Sequence, residues 1–321
     1  METSPPAEPS LAALPSVPLR YFLAVRPAFL GVTLFAVLIG LGAAWHGGVE
    51  PRPLPALATL LFALVAHAGI NVLNDYYDAL NGTDGINVER VFPYTGGSRF
   101  IQNGVLSERQ TALFGASLLA VVALAGVWLT ALSHPGLLVI GAAGLAIGWA
   151  YSAPPFQLAS RGLGEPCVWA GFALLAVGSD FVQRGAFSTA PLMAVAPYAL
   201  LVTNVLFINE FPDRKADAIA GKRHWVVRLG ARNARWIYAV LAAAAYAFLV
   251  GAVAAGALPA VALIGLCAAI PSAFAARELA RHAAQPLRLA PAIRATIGAA
   301  CLHGALLAGA LLASGTWLGA Q

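Results

Sequence analysis

Two groups of acids and amides stand in a chain that is otherwise apolar. The first is Asn71, Asn74, Asp75 and Asp78, with Asp84 six residues beyond; the second is Asn209, Glu210, Asp213 and Asp217. Each lies at the end of a long apolar run, where charge is expensive and is usually retained for function. Crowded carboxylates repel one another, so they take up protons or hold a cation, and hard oxygen donors suit Mg²⁺. The chemistry indicated is a divalent-metal site at a membrane face. Asp75, Asp78, Asp213 and Asp217 are its candidate catalytic carboxylates, and Asn74, Asp84 and Asn209 are candidate further ligands.

Spacing supports this. Asn71, Asn74, Asp75 and Asp78 fall at i, i+3, i+4 and i+7, one face of a helix. Asn81-Gly82 is a helix stop, which leaves Asp84 on a loop able to fold back. A plain helix end whose acids pair with Arg90 or Arg99 is the bland alternative, but two Asn and two Asp on one buried face exceed what termination needs. In the second group, 210, 213 and 217 form a stripe that Pro212 is expected to kink or end. Gly96 and Gly97 let backbone amides approach an anion, and Arg99 offers forked donors to phosphate, although GGSR alone is equally well explained as a turn. Lys222 and Arg223 follow the flexible Gly221 and suit the outer oxygens of a metal-bound diphosphate. A solvated basic loop accounts for Arg232 and Arg235, but not for the acids beside them. His67, four residues before Asn71, faces the same way, though a lone helical His is more often a packed core residue. Cys167, Cys267 and Cys301 have no metal-ligand spacing.

The elements that carry these residues follow from composition. Of 321 residues 60% are hydrophobic and 10% charged, against ~25% charged in an ordinary soluble domain. The fold class is all-α and polytopic, with nine transmembrane helices drawn at about 29–49, 54–80, 109–132, 136–152, 163–181, 190–211, 233–254, 256–276 and 291–313. With the N-terminus inside, all of the 19 Lys and Arg except Arg52 and Arg184 fall on the cytoplasmic side, and the C-terminus lies outside. The net charge of +5 is spread over membrane loops, so anionic lipid and phosphorylated substrates are the expected partners, and not nucleic acid. Residues 1–19 are Pro-rich and read as a disordered tail ahead of one transmembrane domain, 20–321.

Taken together, Arg26-Pro27, the run Asn74-Asp75-Tyr76-Tyr77-Asp78, the segment Asn209 to Asp217 and the stretch from Gly221 to Gly230 resemble the UbiA superfamily of intramembrane aromatic prenyltransferases. The likeness covers roughly residues 20–313. The six-residue gap from Asp78 to Asp84, Tyr151 to Pro155 and Arg161 to Glu165 are similar to the dihydroxynaphthoate polyprenyltransferase branch of menaquinone synthesis. The resemblance implies a bacterial inner-membrane enzyme that binds a polyprenyl diphosphate and an aromatic acceptor. Mg²⁺ would sit between the patches, with Arg99, Lys222 and Arg223 on the diphosphate and Asn71, Tyr151, Arg161 and His67 around the acceptor or diphosphate. Gln157 and Ala159 stand where relatives often carry Lys, so 4-hydroxybenzoate and homogentisate stay open as acceptors. A cation-coupled transporter is the rival class; transporters place their acids near the midplane, whereas both patches here end at one face.

Overall fold

The computed structural model describes residues 7–315. Among these, nine apolar helices follow one another: α1 (Pro27–His46), α2 (Pro53–Leu80), α3 (Glu108–Leu132), α4 (Leu137–Ser152), α5 (Gly164–Arg184), α6 (Ala190–Ile219), α7 (Ala231–Ala254), α8 (Ala260–His282) and α9 (Ala290–Ala313). Eight are long and apolar enough to cross a membrane, and the all-helical, nine-span expectation holds with one short member. That member is α4, whose 16 residues rise ~24 Å, somewhat less than a ~30 Å hydrocarbon layer. Short helices Val17–Ala24, Thr83–Ile86 and Trp225–Leu229 precede α1 and follow α2 and α6.

Lipid offers no hydrophobic gain for bringing helices together, so close packing rests on small residues. Gly40 of α1 lies against the backbone of Ala176 in α5 with no room for a Cβ, and a Cβ on Gly304 of α9 would meet Phe35 and Tyr198 at 2.6 Å. The axis of the bundle is α6, which packs on α1, α5, α7 and α9 and is the most enclosed span. The buried Tyr198 hydroxyl on α6 donates to the Val32 carbonyl of α1 at 2.6 Å. In this arrangement the C-terminal ends of α2 and α6 meet at the same end of the bundle.

Two expectations need correction. Pro212 neither ends α6 nor stops its pattern: the helix runs on to Ile219, so Asp213 and Asp217 are helical. A Pro inside a helix costs ~3 kcal/mol, but Phe207, Ile208 and Phe211 beside it are all buried in one cluster with Val226, Tyr238 and Ile293. Packing on three neighbours outweighs the missing N–H. The described part of the expected tail, residues 7–19, is also ordered by contacts. Leu14 joins Phe100, Val105 and Leu106 in an apolar cluster, the first helix opens at Val17, and Glu8 pairs with Arg90 at 2.5 Å. Its composition suggested disorder because the basic, apolar surface that receives it belongs to the loop after α2. Residues 1–6 lie outside the described residues.

Candidate active site

Local helix geometry on α2 sets the first patch. Asn71, Asn74 and Asp78 follow one face as expected; the Asn71 amide donates to the Val25 carbonyl at 3.1 Å, and that of Asn74 to Asp78 Oδ2 at 3.2 Å and Ser152 Oγ at 3.1 Å. Asp75 is buried; its Oδ2 accepts from the Ser98 N–H at 3.2 Å, and its Oδ1 lies 4.0 Å from Arg26. The loop after α2 folds back, and its short helix places Asp84 beside Asp75. Gly97, at φ 72°, is the seam between them: a Cβ there would run into Asp84 Oδ2 and come within 3.2 Å of Asp75 Oδ1. Only glycine fits both that backbone and that space.

Those two oxygens, Asp75 Oδ1 and Asp84 Oδ2, are buried and accept no hydrogen bond from the described residues. Burial first, then the charges of Asp78 and Asp75, push the Asp84 carboxyl well above the usual carboxylate range. Buried carboxylates gathered in this way either take up a proton or hold a cation, and their oxygens are hard donors. The two oxygens are of the kind a divalent metal such as Mg²⁺ takes, while among the described residues no three acids, His or Cys are already gathered as a metal site.

The second patch closes over the first. Asp213 of α6 accepts from Asn87 at 2.6 Å and from the Gly96 N–H at 3.4 Å, both on the loop after α2. Lys222 Nζ stands 2.7 Å from Asp78 and 3.2 Å from Asp217, so one ammonium joins the two helices. Burial works against its charge, but Asp78 and Asp217 outweigh burial and hold Lys222 above its ordinary range. His224 lies between Glu210 at 2.9 Å and Asp217 at 3.1 Å. Burial favours its neutral form, yet the hydrogen bond to Asp217 and the adjacent charge of Glu210 push it up to about 10, so it is a cation at neutral pH.

Beneath this polar end runs a cavity of about 530 Å³, in the range of small-molecule sites. Arg26, Asn71, Asn74, Tyr151 and Asn209 form its polar rim, and His67 and Thr33 follow, joined by a 2.7 Å Nδ1–Oγ1 hydrogen bond. Below them the walls from α2, α3, α4 and α5 are apolar. Asn209 turns a buried, unpaired amide oxygen toward this end. Such a space can hold an anion at its mouth and a long apolar group within.

Several assignments change. Arg99 does not offer its fork outward: it is buried, donates to the Asp84 carbonyl and lies 3.6 Å from Glu8, so it fastens the loop. Arg223 is exposed, and among the described residues its guanidinium has no partner; its backbone binds Ser160 and Arg228 instead. Arg161 is exposed too and donates to the Pro155 carbonyl at 2.7 Å, away from the carboxylates. Sequence reasoning passed over Arg26 as a site residue, although its guanidinium lines the rim and stacks 4.7 Å from the Phe29 ring. It also passed over Asn87, Ser98 and His224. Of these, Arg26, in the Arg26-Pro27 pair, and His224, two residues after Lys222, carried a signal in the sequence.

The chain matches the UbiA prenyltransferase family over residues 33–290. It is 29% identical over 300 residues to 1,4-dihydroxy-2-naphthoate octaprenyltransferase of Mycobacterium leprae, covering 92% of this chain and 97% of that protein. The protein of the same name from Mycobacterium tuberculosis is 33% identical over 68% of this chain and 73% of its own length. Among solved structures, a UbiA homolog from Archaeoglobus fulgidus bound to DMAPP and Mg²⁺ superposes with a TM-score of 0.54 at 18% identity, over 90% of this chain and 99% of that one. A digeranylgeranylglyceryl phosphate synthase gives 0.60 at 15% identity, over 92% and 98%. With paired acidic helix ends closing over an apolar cavity, and a match that spans most of the bundle, the chain belongs to the UbiA prenyltransferase family.

Proposed function

We propose that this protein transfers a polyprenyl group from an allylic diphosphate to an aromatic quinone precursor, with 1,4-dihydroxy-2-naphthoate as the acceptor and Mg²⁺ as the cofactor. The observation that carries the reading is the pair of buried carboxylate oxygens, on Asp75 and Asp84, brought together at Gly97 just behind Arg26, which lines the rim of an apolar cavity. The names of the mycobacterial relatives and the Mg²⁺ and DMAPP in the Archaeoglobus structure support it.

Asn74, Asp75, Asp78 and Asp84 from one side and Asn209, Asp213 and Asp217 from the other would hold the metal. Bound there, Mg²⁺ would stabilise the charge on the departing diphosphate. Arg26 at the rim and Lys222, released from Asp78 and Asp217 as their charge is taken up, would bind the remaining oxygens. The allylic C–O bond breaks with its electron pair leaving on the diphosphate. The apolar walls keep water from the resulting cation, and His67, Asn71 and Tyr151 orient the hydroxyls of the acceptor. Attack at the ring carbon bearing the carboxylate is followed by loss of CO₂, whose bonding pair restores aromaticity. No side chain then has to remove a ring proton, which agrees with the engagement of His67 with Thr33.

The site faces the cytoplasm of a bacterial inner membrane in this reading, with the C-terminus on the outer side. Membranes containing the protein, incubated with Mg²⁺, a labelled prenyl diphosphate and the naphthoate, should yield a prenylated product lighter by one CO₂. Ready prenylation of 4-hydroxybenzoate with none of the naphthoate would refute the acceptor while leaving the reaction class standing.

A further inference from the structure

The far end of the cavity is closed. Leu129, Leu137, Ile140 and Val182 line it and are buried in one apolar cluster with Ala58 and Phe181. Arg52 ties the helix ends beyond that plug, donating to the Leu132 carbonyl of α3 at 2.6 Å and approaching the Val182 carbonyl of α5 at 3.5 Å. The side of the cavity is different. Val127 of α3 and Leu138 of α4 both line it, yet are 61% and 49% exposed, so at these helices the lining of the cavity reaches the outer surface of the bundle.

Two glycines of α4, Gly144 and Gly141, are part of that lining, and a Cβ at either would meet no atom within 4 Å. Counted from Tyr151 at the rim, they lie seven and ten residues down the helix, or about 10 and 15 Å at 1.5 Å per residue. A prenyl tail descending from the carboxylate end passes Gly144 first, then Gly141, then meets the plug and must turn sideways.

We infer that Gly144 and Gly141 set how long a prenyl donor this protein accepts, each at its own depth in the cavity. The inference rests on the prenyl-transfer reading above. A side chain grown into the open space at Gly144 cuts the usable cavity short, and one at Gly141 cuts it further down. Donors that end above the obstruction are unaffected.

The test uses the full chain in lipid nanodiscs with Mg²⁺, the naphthoate, and all-trans donors from geranyl diphosphate upward. Wild-type protein should use the whole series. Gly144→Leu should lose about tenfold or more of its transfer from a certain donor length upward, and Gly141→Leu should show the same break at a longer donor. Both should keep near-wild-type transfer of the shortest donors, which also reports that they fold. Gly144→Ala and Gly141→Ala should repeat the order with smaller losses. Gly298→Leu, on the exposed surface of α9 with nothing within 4 Å of its Cβ, should follow wild type. Equal breaks, a reversed order, or an unchanged series would overturn the inference. Wild-type protein that transfers none of the donors would instead overturn the reading of the site beneath it.

Discussion

Asp84 is the residue on which the site turns, because it is buried, crowded by Asp78 and Asp75, and left with an oxygen to which none of the described residues donates. In the absence of metal such a group costs stability, and with metal it is an asset. Asp84→Asn should therefore lower transfer by about 10²-fold or more while leaving the melting temperature in EDTA unchanged or higher; a fully active variant would remove Asp84 from the proposed metal site. Lys222 behaves in the opposite sense. It neutralises Asp78 and Asp217 across the seam between two helices, so Lys222→Met should destabilise the metal-free protein by about 3–5 kcal/mol, with Mg²⁺ recovering part of the loss. Equal denaturation midpoints for wild type and variant in EDTA would count against that role. His224 gives the pH dependence. Its folded pKa of about 10 lies above the ordinary 6.5, so its contribution is complete below about 6.5 and is lost as pH rises toward 10. In EDTA, wild-type stability should fall over that window and His224→Gln should fall less steeply.

At the scale of elements, the loop after α2 matters as much as the helices. Its Gly97, Ser98 and Arg99 hold Asp75 and Asp84, and its Asn87 and Gly96 reach Asp213 on α6. Gly97→Ala combines an unfavourable left-handed backbone, about 1–2 kcal/mol, with a methyl group driven between two carboxylates. It should reduce activity far more than it reduces helix content, as circular dichroism beside the transfer assay would read. The helices themselves were legible in the sequence: a 20-residue apolar run has few alternatives in a bilayer, and the i, i+3, i+4, i+7 spacing placed Asn71 to Asp78 without knowledge of the fold. The loop was not legible, because it has no period and its contacts are to distant residues. Arg99 was expected to face phosphate on the strength of its charge, yet a buried guanidinium goes where its donors are satisfied, here the Asp84 carbonyl and Glu8. Pro212 lets α6 run on for a related reason: the local rule that would end a helix there was outweighed by the burial of Phe207, Ile208 and Phe211. Arg26 entered only as part of the Arg26-Pro27 pair and without a role, since only the packing of α1 on α2 brings it to Asp75.

For the whole molecule, the basic residues divide unevenly between the two ends, with only Arg52 and Arg184 at the far one. Both are engaged there, Arg52 with helix-end carbonyls and Arg184 with the buried Asp180 at 2.7 Å. A reporter inserted in the exposed turn at Gly221 should respond as cytoplasmic and one fused after Gln321 as external; both on the same side would contradict an odd number of crossings. The cavity lining that reaches the outer surface at α3 and α4, marked by Val127 and Leu138, also bears on how such a molecule meets its reactants. A tail that left through water would give up about 0.8 kcal/mol for every CH₂, so even a short prenyl chain is confined to the membrane plane. Encounter and release are then two-dimensional, and the concentrations that saturate the protein are counted in molecules per lipid and not per litre. Diluting the donor with inert lipid should slow turnover at constant bulk concentration, as though substrate had been withdrawn.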